Sequence, residues 1–250
     1  MTSSTLRDVA VILAAHGDTS GETPNAALLS HASALAVKGY FRHVGVGTLK
    51  TDDLPLEIAL SAARASGAAR IAVYPMFMAD GYFTGKVLPQ RIAAAGLSLH
   101  CKLIAPLGLD PQMPGLMMSH ALTIAERSAI EPTLARLLVV GHGSKFGRAS
   151  LHATEKVASR LRQIGRFAFV ETAYLEETPF LSDQLKYGGL TTLVTGFFSG
   201  EGMHASQDVP DAIAAAGTGA HYAGAIGGHP EIAQIIETAV RAAYPTAGTA

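Results

Sequence analysis

The feature that most constrains this chain's fold is that it repeats itself. The stretch ILAAHGDTSG at residues 12–21 returns as LVVGHGSKFG at 138–147, which sets His16 against His142 at an offset of 142 − 16 = 126. Near the end of each half, PLGLDPQMPGLM (106–117) pairs with AIGGHPEIAQII (225–236). Four strand–helix units therefore occur twice, and one supersecondary plan used twice is the simplest account. The boundary is expected in SAIEPTL, which gives an N-terminal repeat over 1–130 and a C-terminal repeat over 131–250.

Within each repeat, apolar runs alternate with alanine-rich helical stretches. VAVILAA (9–15), HVGVGTL (43–49), RIAVYPMF (70–77) and LHCKLIAPL (99–107) read as strands in the first half. ARLLVVG (135–141), FAFVETAYL (167–175), TTLVTGFF (191–198) and AHYAGAIG (220–227) read as strands in the second. The runs are short and rich in Val, Ile and Leu, as strands covered on both faces must be. NAALLSHASALAVKG and PLEIALSAARASG have helical spacing and stop at glycine, and further helices are expected over 148–164, 206–216 and 230–244. Such alternation implies parallel sheets with right-handed crossovers. The expected fold is α/β: two tandem domains, each a four-stranded parallel sheet flanked by helices, with an active-site cleft between them.

Composition narrows the partners. Hydrophobic residues make up 48% of the chain and charged ones 16%, so a large core is available and disorder is excluded. The net charge is −1 with no block of like charge, which argues against nucleic acid or a membrane surface. No apolar run approaches the roughly 18 residues of a membrane span, and MTSSTLRD does not read as a signal segment. A cytoplasmic protein is expected. Cys101, the one cysteine, lies in an apolar run and reads as a structural thiol. The sequence sets no oligomeric state.

Ligands of open parallel sheets bind beyond the carboxyl ends of the strands, so the residues just after each strand carry the functional signal. In the second half these are His142, then Glu176 and Glu177 in LEETP, then His204 and Asp208 in FFSGEGMHASQDVP. The topology brings two histidines and a carboxylate to one edge although they are distant in sequence. Imidazole nitrogen and carboxylate oxygen suit cobalt, iron, nickel or zinc. Asp208 is expected to fix His204 or to cap the following helix. Ser144 is placed to cap the helix after His142. Lys145 and Arg148 are either carboxylate ligands or an exposed helix-entry turn.

The motifs VVGHGS, AYLEETP and GMHASQDVP, each after a strand, resemble those of the class II tetrapyrrole chelatases, above all the sirohydrochlorin cobaltochelatases and their ferrochelatase relatives. Gly202, His204, Asp208, Val209 and Pro210 meet the family pattern, and so does the histidine spacing of 204 − 142 = 62. The resemblance covers nearly the whole chain, because long members of the family are tandem repeats. It implies that His142 and His204 hold the metal, with Glu176 as third ligand or proton acceptor. It also implies a tetrapyrrole substrate, Co2+ as the metal with Fe2+ or Ni2+ as alternatives, and no organic cofactor. The first half departs from the pattern. His16 is kept, but Lys50 stands where Glu176 stands, Phe83 replaces His204 and Val87 replaces Asp208. An ammonium repels a cation and only donates hydrogen bonds, so the first half is expected to have lost metal insertion. It is expected to shape the pocket instead and to bind substrate through His16, Lys50, Tyr82, Phe83 and Lys86, with Tyr82 and Phe83 against the ring and Lys50 and Lys86 toward its carboxylates. Two rival readings share some of these residues. A histidine phosphatase or mutase needs an arginine before its histidine, and here Ala15 and Gly141 stand there. A non-catalytic metal carrier or tetrapyrrole-binding protein would use the same histidines.

Overall fold

The structure is a computed structural model and describes residues 6–18, 24–187 and 189–245. The first sheet is formed by β1 (Leu6–Ala15), β2 (Phe41–Thr48), β3 (Arg70–Pro75) and β4 (Cys101–Leu103), in the order β2-β1-β3-β4. The second is formed by β5 (Ala135–Gly141), β6 (Phe169–Tyr174), β7 (Thr191–Gly196) and β8 (His221–Ala225), in the order β6-β5-β7-β8. Every pairing is parallel. The expected α/β plan of two four-stranded parallel sheets is what the chain forms. β4 is much shorter than its apolar run. Ile104 still donates its N–H to Val73, but Pro106 has no N–H to extend the ladder, and the chain turns into a 3-10 segment at Leu107–Leu109.

The helices are α1 (Ala26–Val37), α2 (Leu56–Ala65), α3 (Leu88–Ala94), α4 (Met113–Arg127), α5 (Ala149–Ile164), α6 (Leu181–Gln184), α7 (Val209–Ala216) and α8 (Ile232–Ala243). On one face of the first sheet, Ala10, Ile12 and Ala14 of β1 pack with Leu56, Leu60 and Ala63 of α2 and Leu88 and Ile92 of α3. The alternate residues Val9, Val11 and Leu13 are equally buried and point to the other face, where α1 and α8 pack together. The second sheet repeats this. Leu138 and Val140 of β5 pack with Leu181 of α6 and Val209 of α7, while α5 and α4 cover the opposite face.

The helix covering each sheet's second face thus comes from the other repeat. The compact bodies are residues 1–110 with 230–250, and residues 111–229. The boundary between sequence repeats and the edges of these bodies are accordingly different things. α8 lays Ile232, Ile235, Ile236 and Val240 inward at helical spacing. Polar ties fix its register: Tyr244 donates its hydroxyl to Ile71 O at 3.0 Å, and Lys102 donates to Ala243 O at 2.7 Å.

Glu237, also on the buried face of α8, accepts from Lys38 and from Arg241, each at 2.8 Å. Burial pushes its carboxyl pKa up, but the hydrogen bonds from Lys38 and Arg241 outweigh this and hold it below the ordinary value. A depressed folded pKa stabilises the fold fully above the unfolded value of ~4.3 and loses that contribution as pH falls through the folded one. Glu237→Ala leaves two cations facing a missing acceptor, and should cost ~3 kcal/mol near neutrality. Urea unfolding followed from neutral pH down to acid checks this, since the gap between wild type and variant should close at the acid end.

Equivalent glycines lock both sheets at the fourth strand. Gly108 donates to Phe77 O at 3.0 Å, and Gly227 donates to Phe198 O at 2.9 Å. A Cβ on Gly108 would sit 2.1 Å from Met78 O, and one on Gly227 would sit 2.2 Å from the carbonyl carbon of Ser199. These contacts anchor the segments that leave β3 and β7, and the latter leads to His204.

Candidate metal centre

In a sheet ordered 2-1-3-4, the chain reverses direction across the first and third strands, and ligands of such sheets bind beyond that point. His142 follows β5 and His204 lies beyond β7, so the two flank the switch point of the second sheet. His142 leaves β5 through Gly143, at φ +76°, where an added Cβ would crowd Tyr174 and Glu177 at 3.1 Å. His204 opens a single π-helical turn, His204–Asp208, that runs directly into α7. Such turns recur at functional positions. Here the turn brings Asp208 Oδ2 within 2.5 Å of His204 Nδ1.

The two rings meet. Their Nε2 atoms are 2.9 Å apart, and the ring planes are nearly perpendicular at 89°. The other nitrogen of each ring is occupied. His142 Nδ1 is 2.9 Å from Gly143 O, and His204 Nδ1 faces the Asp208 carboxylate. A carbonyl and a carboxylate only accept, so both rings carry their proton on Nδ1. In the neutral imidazoles two bare Nε2 lone pairs then face a common point. Such a pair repels itself unless a cation stands between. With metal–nitrogen bonds of ~2.1 Å, 2.9 Å between nitrogens corresponds to an N–metal–N angle of about 90°. The side chains of His142 and His204 are 41% and 42% exposed, which leaves the remaining coordination positions open to an incoming ligand.

Glu176 lies beside this pair. Its Oε2 is 3.9 Å from His142 Nδ1, the nitrogen that faces away from His204, and its backbone N–H donates to His142 O at 3.0 Å. Among the described residues no three His, Cys, Asp or Glu side chains are gathered to hold one ion, so the assembled donors are the two imidazoles. Asp208 fixes His204, one of the two roles expected for it. Ser144 does not cap α5: its Oγ accepts from Phe146 N at 3.1 Å, and α5 starts without a side-chain cap. The reason is distance along the chain, since α5 begins five residues after Ser144. Two partners were not visible in the sequence as such. Glu177 accepts from Ser144 N at 3.0 Å, and Ser150 accepts from Gly143 N at 3.1 Å; together they pin the loop behind His142. The adjacent acidic pair in LEETP signalled Glu177 only as a strand-end residue. Cys101 is half-buried, and burial pushes its thiol up to about 11, in keeping with a structural role.

The first sheet carries the matching positions. Lys50 N donates to His16 O at 3.0 Å, as Glu176 N does to His142 O. Phe83 opens a π-helical turn, Phe83–Val87, as His204 does. His16 meets Phe83 edge-on, with centroids 4.9 Å apart. The alignment of Lys50 with Glu176 and of Phe83 with His204 therefore holds in space.

A family profile, CbiX, matches the chain twice, over residues 10–122 and 136–243. The chain belongs to the CbiX family. This CbiX-family chain has the two-repeat form of the class II chelatases. It is similar to a probable sirohydrochlorin cobaltochelatase from Halobacterium salinarum, 22% identical over 274 aligned positions that span 94% of this chain and 92% of that one. It is similar to the solved structure of CbiX, the terminal enzyme for biosynthesis of siroheme in denitrifying bacteria. There the identity is 28% and the TM-score 0.77, covering 94% of this chain and 99% of the other. SirB from Bacillus subtilis with Fe3+ shares the fold at 16% identity and a TM-score of 0.78, over 93% of this chain and 94% of that one. No helix among the described residues is long and apolar enough to cross a membrane.

Proposed function

We propose that this CbiX-family chain inserts a divalent metal, Co2+, into sirohydrochlorin or a closely related tetrapyrrole, on the way to cobalamin or siroheme. The observation that carries the reading is the His142–His204 pair, with both Nε2 atoms directed at one point and both Nδ1 atoms already engaged. The relatives named for sirohydrochlorin and siroheme support the substrate, and the one named a cobaltochelatase supports the metal. Two nitrogen donors and an open remainder hold a metal ion without saturating it, which a metal destined for transfer requires. Insertion exchanges one dication for two pyrrole N–H protons, so bases must stand ready at the edge. Glu176 is one. The two Nε2 atoms become bases as the metal leaves them, so the donors that deliver the ion can receive the protons that replace it.

The test is an absorbance assay with purified protein, sirohydrochlorin and Co2+. Metallation faster than the uncatalysed background supports the reading. A protein that binds cobalt and leaves that rate unchanged is a carrier. Asp208→Asn replaces the carboxylate partner of His204 Nδ1 by an amide, and loss of such a partner weakens metal affinity by about 10- to 100-fold. A Co2+ titration of the variant against wild type measures it.

A further inference from the structure

The body of residues 111–229 holds another pair of histidines, apart from His142 and His204. His120 lies on α4, and His229 follows the 3-10 turn Ile226–Gly228 that ends β8. Their rings meet edge-on, with centres 5.2 Å apart and 76° between planes, and both residues are half-buried. His120 Nε2 is 2.7 Å from Ala223 O. That carbonyl belongs to the edge strand β8, in the stretch where its register with β7 shifts. A carbonyl only accepts, so His120 carries its proton on Nε2, and in the neutral ring Nδ1 keeps its lone pair. This is how a metal-binding imidazole is commonly prepared: one nitrogen donates to a fixed acceptor and the other is left for the ion. His142 is arranged the same way, with its two nitrogens exchanged.

The spacing of the rings suits one ion. With metal–nitrogen bonds of ~2.1 Å, an imidazole centre lies about 3.2 Å from a bound ion, and centres 5.2 Å apart then subtend about 110° at it, a tetrahedral angle. The same construction turns the 4.4 Å between the His142 and His204 centres into about 90°, the angle their nitrogens give. Nor does the fold demand these residues. The alignment of PLGLDPQMPGLM with AIGGHPEIAQII has an offset of 225 − 106 = 119, which sets Asp110 against His229 and Ala239 against His120. The other body has the same sheet order and helix cover with an aspartate and an alanine at those places.

We propose that His120 and His229 form a second site for a divalent transition ion, separate from the His142–His204 pair, where the ion ties α4 to the chain beyond β8. Imidazole nitrogen selects Co2+, Ni2+, Cu2+ and Zn2+ over Mg2+ and Ca2+. Two protein donors leave the other coordination positions to water, so the ion exchanges with solution instead of being locked in, as it is at a closed four-ligand site. An ion that binds only when α4 and the end of β8 are in place favours the folded state, so it also stabilises this body.

The experiment is equilibrium dialysis of the untagged full chain against Co2+, with thermal unfolding of the same samples. It compares wild type, His120→Gln, His229→Ala, the double variant His142→Ala/His204→Ala, and that double variant with His120→Gln added. Glutamine keeps an N–H donor for Ala223 O but offers no ring nitrogen to a metal, so it separates the structural hydrogen bond from metal binding. Circular dichroism confirms that each variant is folded. The double variant should still bind Co2+, and adding His120→Gln should weaken that binding about tenfold or more, as when one of two ligands is lost. Co2+ should raise the unfolding temperature of the double variant, and the rise should vanish with His120→Gln. His120→Gln and His229→Ala alone should metallate sirohydrochlorin within about twofold of wild type, since neither touches the His142–His204 pair. A double variant that binds no Co2+, or one whose Co2+ affinity His120→Gln leaves unchanged, overturns this inference and leaves the proposed function standing. A wild type that fails to metallate the tetrapyrrole while the His120-dependent Co2+ binding is found overturns the proposed function alone.

Discussion

His204→Ala should lower the rate of tetrapyrrole metallation by more than about a hundredfold. Loss of a partner behind a metal-binding histidine already costs 10- to 100-fold, and this change removes the donor itself. It leaves one Nε2 where two were directed at the same point 2.9 Å apart. His142→Ala should behave alike. The double variant should be little worse than either single one, because two groups that hold one ion act as a unit. The absorbance assay gives the three rates, and a Co2+ titration shows whether the loss lies in holding the metal. Circular dichroism should be unchanged, since both rings are two-fifths exposed. A double variant slowed by the full product of the two single effects would mean that each histidine acts separately.

The second large effect is on stability. Gly227→Ala would place a Cβ 2.2 Å from the backbone of Ser199. A backbone cannot swing aside as a side-chain tip can, so the 3-10 turn Ile226–Gly228 or the segment leaving β7 has to move. The expected cost is ~3 kcal/mol or more, and Gly108→Ala should cost as much in the first sheet. Gly115→Ala is the control, because nothing lies within 4 Å of the added methyl and α4 gains a better helix former. Denaturant unfolding compares the three. Gly227→Ala should also slow metallation, because the displaced segment leads to His204.

Much of this was legible in the sequence for a definite reason. Strand cores such as LLVVG are short apolar runs, and parallel strands buried on both faces have no other way to be written. The repeat then fixed which strand ends are equivalent, and the histidine after a glycine marked one of them. What the sequence did not disclose depends on information that is not local. The apolar stripe of α8 says that the helix must cover a sheet but not which sheet, so the exchange of α4 and α8 between bodies had no signal. The partner of His142 Nδ1 is the backbone carbonyl of Gly143, which any residue supplies. The π-helical turn at His204 reads as the start of an ordinary helix, since the alanine, serine and valine around it suit both. Glu176 was placed at the right edge. Its side of the imidazole depended on the ring's rotamer, which spacing does not encode.

The exchange of terminal helices bears on how the protein comes off the ribosome. Chains are made from the N-terminus, and domains usually mature in that order. Here residues 1–110 have to wait for α8, more than a hundred residues further along the chain, before their sheet is covered on both sides. The body carrying the histidine pair has all its residues once 229 has emerged. The half synthesised first is therefore the half completed last, and until then its bare sheet face is the nascent chain's exposure to aggregation.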